Sequence, residues 1–327
     1  MSSIVTAEDA GQTFEGWCLD ADFANIEARP SYGKFGRSYY PAVCGEAAYD
    51  QSFAVMQGER PVLLVLCAVR GDALDYFGLP VGMFRRRGLE DDAEHAAVAS
   101  AFQHLDILAG RGHGYQVTVD DAESRGTLSA VGIQCVNRRA QASLRTTGIC
   151  DLTGGEAAMR RSLRKSFRSL INWGRTNLKI EVVCSNDPNR NLFDSYQKFH
   201  REVAGRITRP QLSWDIMFEF IANGRGELVL GSLDSELVAG TLVVDGSNTS
   251  LYASGVYDRN RFDKPMAHWP LWSAIIRSAG RGMASFELGD LPLSGSASEK
   301  EFAIGYFKRG FASSIATSIV WTWKPSN

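Results

Sequence analysis

The sequence has no apolar run approaching the roughly 18 residues that a bilayer-spanning helix needs. Met1 to Thr13 holds no basic segment followed by an apolar one, so neither a membrane span nor a secretory leader is expected, and the expected location is the cytoplasm. Cysteine is sparse: Cys18, Cys44, Cys67, Cys135, Cys150 and Cys184 are scattered, with no Cys-x-x-Cys pair. That distribution excludes a disulfide scaffold and a zinc ribbon and predicts reduced, buried thiols. Only five histidines occur, with no His-Glu-x-x-His or similar cluster, so no metal site is expected. A Cys/His or Ser/His/Asp signature of covalent catalysis is also missing.

What is present is an ordinary globular composition. With 327 residues, 44% of them hydrophobic, the chain can bury a large core, and its length suggests two domains. The net charge of −2 conceals an asymmetry: residues 1–145 carry 13 Lys+Arg against 19 Asp+Glu, and residues 146–327 carry 22 against 18. Anionic ligands are therefore expected at the second half, and DNA is not expected as a partner.

The stretch Leu251 to Phe311 is the most informative. It reads as a strand to Tyr257, a polar loop from Asp258 to Lys264, an apolar helix ending at Ala279, a strand Met283 to Leu288, Gly289-Asp290, and a late Tyr306-Phe307-Lys308-Arg309-Gly310-Phe311. Trp269, Leu271, Trp272, Ile275 and Ile276 leave that helix only a narrow polar strip, so it is an interior helix. Pro265 and Pro270 restrict its start to between Met266 and Pro270, because proline is accepted only in a first turn. A loop carrying Arg261 and Lys264 into a helix start presents unpaired N–H groups and a positive dipole end, which suits a phosphate-bearing ligand.

Upstream, Glu156 to Trp173 reads as a single helix. Met159, Leu163, Phe167 and Leu170 line one face; Arg160, Arg161, Arg164, Lys165, Arg168 and Arg175 gather on the other. Two readings stand: a solvated basic face, or contact through Arg161, Arg164 and Arg168 with the phosphates of a nucleotide, a cofactor or RNA. A membrane-surface role is disfavoured because the core needs the apolar stripe. The loop Arg206 to Pro210 offers further arginines to a substrate. Between these lie a strand Ile180 to Val183, a helix starting at Asp187-Pro188, a short helix capped by Ser213, and an antiparallel meander from Glu227 to Tyr257.

The first half runs through an unbroken apolar strand Val62 to Val69, a turn at Gly71-Asp72 and a return to Leu74–Leu79, then Arg85-Arg86-Arg87 and a helix ending at Gly110. Ala109-Gly110-Arg111-Gly112 after this helix is identical to Ala279-Gly280-Arg281-Gly282 after the second-half helix, and each leads to a strand ending in Asp120 or Asp290. That repetition points to duplication, with Asn137 to Thr147 as the connection.

The order from the basic helix to Phe307-Lys308-x-Gly-Phe, with Leu163-Arg164-Lys165-Ser166-x-Arg168, Leu237-Val238-Ala239-Gly240 and Phe286-Glu287-Leu288-Gly289, resembles the FemABX-like branch of the GNAT acyltransferase superfamily over residues 146–323. The resemblance implies an α/β (α+β) fold of two tandem GNAT-like domains, residues 1–145 and 146–327, each a mixed, largely antiparallel sheet flanked by helices. It implies transfer of an acyl or aminoacyl group to an amine of a cell-envelope or polysaccharide precursor, with acyl-CoA, or alternatively aminoacyl-tRNA, as co-substrate and no tightly bound cofactor. The acceptor would be a small-molecule or glycan-precursor amine, and tRNA a possible partner. Lys308 stands at the family's late lysine, expected near phosphate or the transferred carbonyl. Tyr252, His268 and Glu287 are the other candidate donors or bases; Glu287 stands where many relatives have Asp. Arg277-Ser278-Ala279-Gly280-Arg281-Gly282 fits the Arg/Gln-x-x-Gly-x-Gly pattern that holds coenzyme A pyrophosphate, but here it follows a helix where it should precede one, and Gly280 reads as a left-handed helix cap. The competing reading is a non-catalytic GNAT-fold protein that binds RNA or a nucleotide-linked ligand.

Overall fold

The computed structural model describes residues 2–110, 114–122, 128–261, 263–292 and 298–325. Contacts divide the chain into two compact units: Met1–Glu27 with Cys44–Arg145 and Thr317–Asn327, and Ala28–Val43 with Thr146–Ala316.

In the first unit the strands Ser2–Thr6, Phe53–Gln57, Arg60–Leu66 and Gly82–Arg85 form an antiparallel sheet in that order. The helix Asp91–Gly110 follows, then the strand Gln116–Asp121, which meets Val81 in a parallel bridge through Val119 and is flanked on its other side by antiparallel residues 319–323. The apolar run expected as one strand over Val62–Val69 is divided at Cys67. There the Ser52 hydroxyl accepts from the Cys67 N–H and donates to its carbonyl, replacing the ladder bonds that a straight strand would make. Ala68–Arg70 and Ala73–Asp75 then form the hairpin that the Gly71-Asp72 turn calls for. Arg85 pairs with Glu94 and Arg86 with Asp22, so two of the three consecutive arginines are neutralised locally.

The second unit repeats this plan. Lys179–Val183, Gly226–Leu233, Glu236–Asp245 and Thr249–Tyr257 are antiparallel neighbours in that order. The helix His268–Gly280 comes next, then the strand Ser285–Asp290, parallel to Thr249–Tyr257 and flanked on its other side by antiparallel residues 147–151. Among the described residues both units thus have four antiparallel strands, a buried helix, a fifth strand running with the fourth, and a sixth antiparallel to the fifth, drawn in the first unit from the far end of the sequence. Residues 141–151, expected as a connection as far as Thr147, are that sixth strand. Of the repeated tetrapeptide, Arg111 and Gly112 lie outside the described residues, as does most of the expected small-residue loop Leu291 to Ser298.

Each face of the second sheet has its own core. Leu228, Leu230, Leu242, Val244 and Val256 pack with Phe193, Tyr196, Trp214, Met217 and Ile221 of the helices Arg190–Ala204 and Gln211–Ala222. Val229, Val243, Phe286 and Leu288 pack with Phe167 and Ile171 and with Leu271, Trp272 and Ile275 of the interior helix. Gly174 permits close helix crossing there, since a Cβ would lie 2.4 Å from that of Trp269.

Four local expectations are corrected. The basic segment is two helices, Gly155–Ser162 and Phe167–Asn177, because Leu163 turns to an extended ψ of 143° and the Arg164 N–H bonds the Gly310 carbonyl at 2.9 Å. Asn189, not Asp187-Pro188, starts the next helix by accepting from the Leu192 N–H. Ser213 does not cap its helix; its hydroxyl donates to the Pro210 carbonyl. The left-handed residue after the interior helix is Gly282, at φ +86°, and not Gly280.

Candidate active site

The parallel pairing of Thr249–Tyr257 with Ser285–Asp290 is short: it joins Thr249 to Ser285, Ser250 to Phe286 and Leu251 to Glu287, and no later residues. Both strands are irregular just beyond. The former has a bulge where Ser254 and Tyr252 face Leu242 and Val243; the latter shifts register between Glu287 and Gly289. A parallel pair that separates at its carboxyl ends is where an α/β sheet offers backbone groups to a ligand.

Lys308 lies at this separation. Its helix, Glu299–Arg309, starts with a capping box in which Ser298 and Glu301 satisfy each other's backbone N–H groups. Gly305 lets the helix approach the strand's exit, since a Cβ there would sit 2.8 Å from the ring of Pro292. One turn on, the Lys308 ammonium is 3.2 Å from the point that a side chain on Gly289 would occupy, and Gly289 has φ +78°. The ammonium also stands 5.8 Å from the ring centre of Tyr252. Burial lowers the Lys308 pKa below the ordinary lysine value, while Asp290 and Glu287 pull it back up. The helix is not anchored as its sequence suggests: Phe302 and Ile304 are exposed, and Phe307 alone of the three packs inward, against Phe167, Phe311 and His268.

Tyr252 belongs to a phenol pair. Its hydroxyl is 2.6 Å from that of Tyr257, which is 3.4 Å from the Thr241 hydroxyl. Burial raises both phenol pKa values, Tyr252 strongly, so both are neutral hydrogen-bond donors over the physiological range. Either hydroxyl can donate within the pair, and the Tyr252 hydrogen faces a ligand only when Tyr257 is the donor. Neither Tyr257 nor the glycine that admits the pair stands out in the sequence.

His268 opens the interior helix and is ringed by aromatic side chains, at 4.6 Å from Phe167, 5.2 Å from Phe307 and 6.1 Å from Phe311. Among the described residues its buried Nδ1 has no partner at hydrogen-bond geometry, and the Pro265 backbone partly offsets the effect of burial on the ring. Burial, with the Arg164 charge adding to it, lowers its pKa to about 4, so the ring is neutral near pH 7. The fold places Lys308 near Tyr252, Glu287 and Asp290 at the strand ends, and His268 against Phe307, the residue before Lys308.

The candidate phosphate ligands divide. Arg164 reaches the neighbourhood of His268, stacking 3.8 Å over Tyr306 and 5.0 Å over Phe167 while donating to the Tyr306 carbonyl. Arg168 donates to the Arg161 carbonyl at 3.2 Å. Among the described residues neither these two nor Arg161 meets a carboxylate. Arg261 by contrast is paired with Glu236 and with Asp258 at 3.3 Å, and Lys264 is exposed. Arg277 and Arg281, which fit the pyrophosphate pattern, hold the buried Glu227 at 2.5 and 2.8 Å, and Arg281 also holds Asp245 at 2.7 Å. They cross-link sheet to helix, with both guanidiniums turned to carboxylates inside the fold.

Arg209 is a further cation at the sheet's other face. Its guanidinium lies 4.7 Å over Trp214 and 6.0 Å over Tyr39, and no carboxylate pairs with it among the described residues. Nearby, burial together with the Arg209 charge lowers His200 to about 4.

No protein-family model and no curated protein matches the sequence. Among solved structures the chain superposes on FemX with a TM-score of 0.62 at 11% identity, over 93% of this chain and 95% of that one. It superposes on L-PGS from Bacillus licheniformis with a TM-score of 0.59 at 14% identity, over 97% and 92%. A tandem GNAT protein from the clavulanic acid biosynthesis pathway gives 0.57 at 14%, over 100% and 99%. At such identities the likeness is one of fold: the chain has the tandem GNAT fold of the FemX type, as the resemblance over residues 146–323 implied.

Proposed function

We propose that the second unit is an N-acyltransferase working in the cytoplasm, which passes an acyl or aminoacyl group from a thioester or ester donor to an amine of a cell-envelope or polysaccharide precursor. The observation that carries this reading is the Lys308 ammonium held beside Gly289 and Tyr252 where two parallel strands separate.

Acyl transfer by direct attack needs a neutral amine, a fixed approach and donors for the developing oxyanion. The amine nitrogen adds to the donor carbonyl, forming the C–N bond. The tetrahedral oxyanion is met by the Lys308 ammonium and the Tyr252 hydroxyl. Its collapse breaks the bond to sulfur or oxygen, and the proton leaving the amine goes to that departing atom. Glu287 and the neutral His268 are the candidate proton acceptors at the site. Acyl-CoA is favoured over aminoacyl-tRNA as donor, with its phosphates at the start of the interior helix beside Arg161, Arg164 and Arg168. Arg209 is assigned to an acidic group of the acceptor.

Native mass spectrometry of the purified protein tests the donor. Retained coenzyme A supports this reading, retained tRNA selects the aminoacyl branch, and a Lys308→Met variant that keeps full turnover of an identified substrate pair overturns the catalytic assignment.

A further inference from the structure

The helix Glu299–Arg309 packs Phe307 inward but turns its other two aromatic residues to solvent. Within it only Gly305 is fully buried, whereas Phe302 and Tyr306, one turn apart, are 50% and 59% exposed. An i, i+4 aromatic pair so far exposed is the kind of apolar surface that marks an interaction site.

Its surroundings are cationic. Arg164 lies against the Tyr306 ring and, through its backbone, on Gly310; Arg168 lies on Arg161; Lys165 and Arg309 are exposed beside them. Among the described residues none of these five side chains pairs with a carboxylate. The helix has two acids in its first turn: Glu299, which is exposed, and Glu301, which is committed to the Ser298 cap. The apolar stripe of the basic helices is consumed by the core, which argues against those helices entering a membrane by themselves, but the exposed aromatics belong to a separate helix and are not so consumed.

We propose that this face, Phe302 and Tyr306 flanked by Lys165 and Arg309, docks on the surface of an anionic lipid bilayer. Aromatic side chains enter the headgroup boundary while the cations meet lipid phosphates, and the chain needs no spanning helix for this. A lipid surface fits better than RNA because Arg164 already covers a face of the Tyr306 ring, which removes it as a platform for a base. The inference is independent of acyl transfer, since it requires no donor and no turnover.

Co-sedimentation of the intact chain with phosphatidylcholine vesicles, with and without phosphatidylglycerol, tests it. Binding is expected only where phosphatidylglycerol is present. Phe302→Ser with Tyr306→Ser, and separately Lys165→Gln with Arg309→Gln, are each expected to weaken it on the order of tenfold, at unchanged melting temperature. Full binding by the aromatic pair variant would reduce the surface to unspecific charge and overturn the proposal. So would absence of vesicle binding alongside tight binding of unfractionated tRNA, which would assign the same cations to RNA.

Discussion

The Tyr252 hydroxyl fills the space in which a side chain on Gly255 would begin: a Cβ there would lie 1.7 Å from the phenolic oxygen. Glycine at 255 is therefore what allows the hydroxyl to cross to Tyr257. Gly255→Ala is expected to displace Tyr252, to destabilise the fold by about 1–3 kcal/mol as overpacking does, and to lower turnover. Tyr257→Phe, which removes the bond without the clash, should lower turnover with a smaller change in melting temperature; equal turnover in Tyr257→Phe and wild type would separate the phenol pair from the chemistry.

Lys308→Met is expected to reduce turnover roughly 10²-fold, the scale of one preorganised oxyanion donor, with little change in a circular dichroism melt. Because burial lowers the Lys308 pKa, the ammonium is lost at a lower pH than an ordinary lysine would lose it. The rate should therefore decline at alkaline pH with a midpoint below 10.5, and this limb should vanish in the variant. A rate that rises through the same range in the wild type, with that rise lost in Lys308→Met, would make Lys308 a base.

For the histidines, the folded-state pKa of about 4 at His268 and at His200 lies below the ordinary imidazole value of 6.5. Between those values the unfolded chain binds protons that the folded one does not, so stability is full above about pH 6.5 and falls as pH drops toward 4. Melting temperature recorded from pH 7 to 4.5 should fall, and less steeply in His268→Phe, which also removes the unpartnered Nδ1. An identical slope in both proteins would show that His268 titrates normally.

Arg281→Met should cost about 3 kcal/mol or more, since it strips the buried Asp245 of its guanidinium partner, while leaving affinity for coenzyme A unchanged. Arg164→Gln should do the reverse, weakening that affinity about tenfold and flattening its salt dependence. Isothermal titration beside thermal melts distinguishes the pair; a loss of donor affinity in Arg281→Met would restore the pyrophosphate reading.

The local order of the chain is written in the sequence because it rests on short-range physics. Prolines 265 and 270 confine the start of the interior helix, and the structure begins it at His268. Apolar periodicity gives the meander, and a motif placed after a helix could be set aside because amides at a helix end point away from phosphate. What lay beyond reach were consequences of partners distant in the chain. The basic segment breaks at Leu163 because the Arg164 N–H meets Gly310, 146 positions later. The roles of Arg261, Arg277 and Arg281 follow from Glu236, Glu227 and Asp245, whose proximity only the sheet decides. Tyr257 and Gly255 acquire meaning only once a strand bulge turns Tyr252 toward them. Phe302 is hydrophobic yet exposed, because helix orientation depends on what the neighbouring strands leave open. Composition and spacing fix which elements form; which charges are neutralised and which apolar side chains face water is decided when those elements pack.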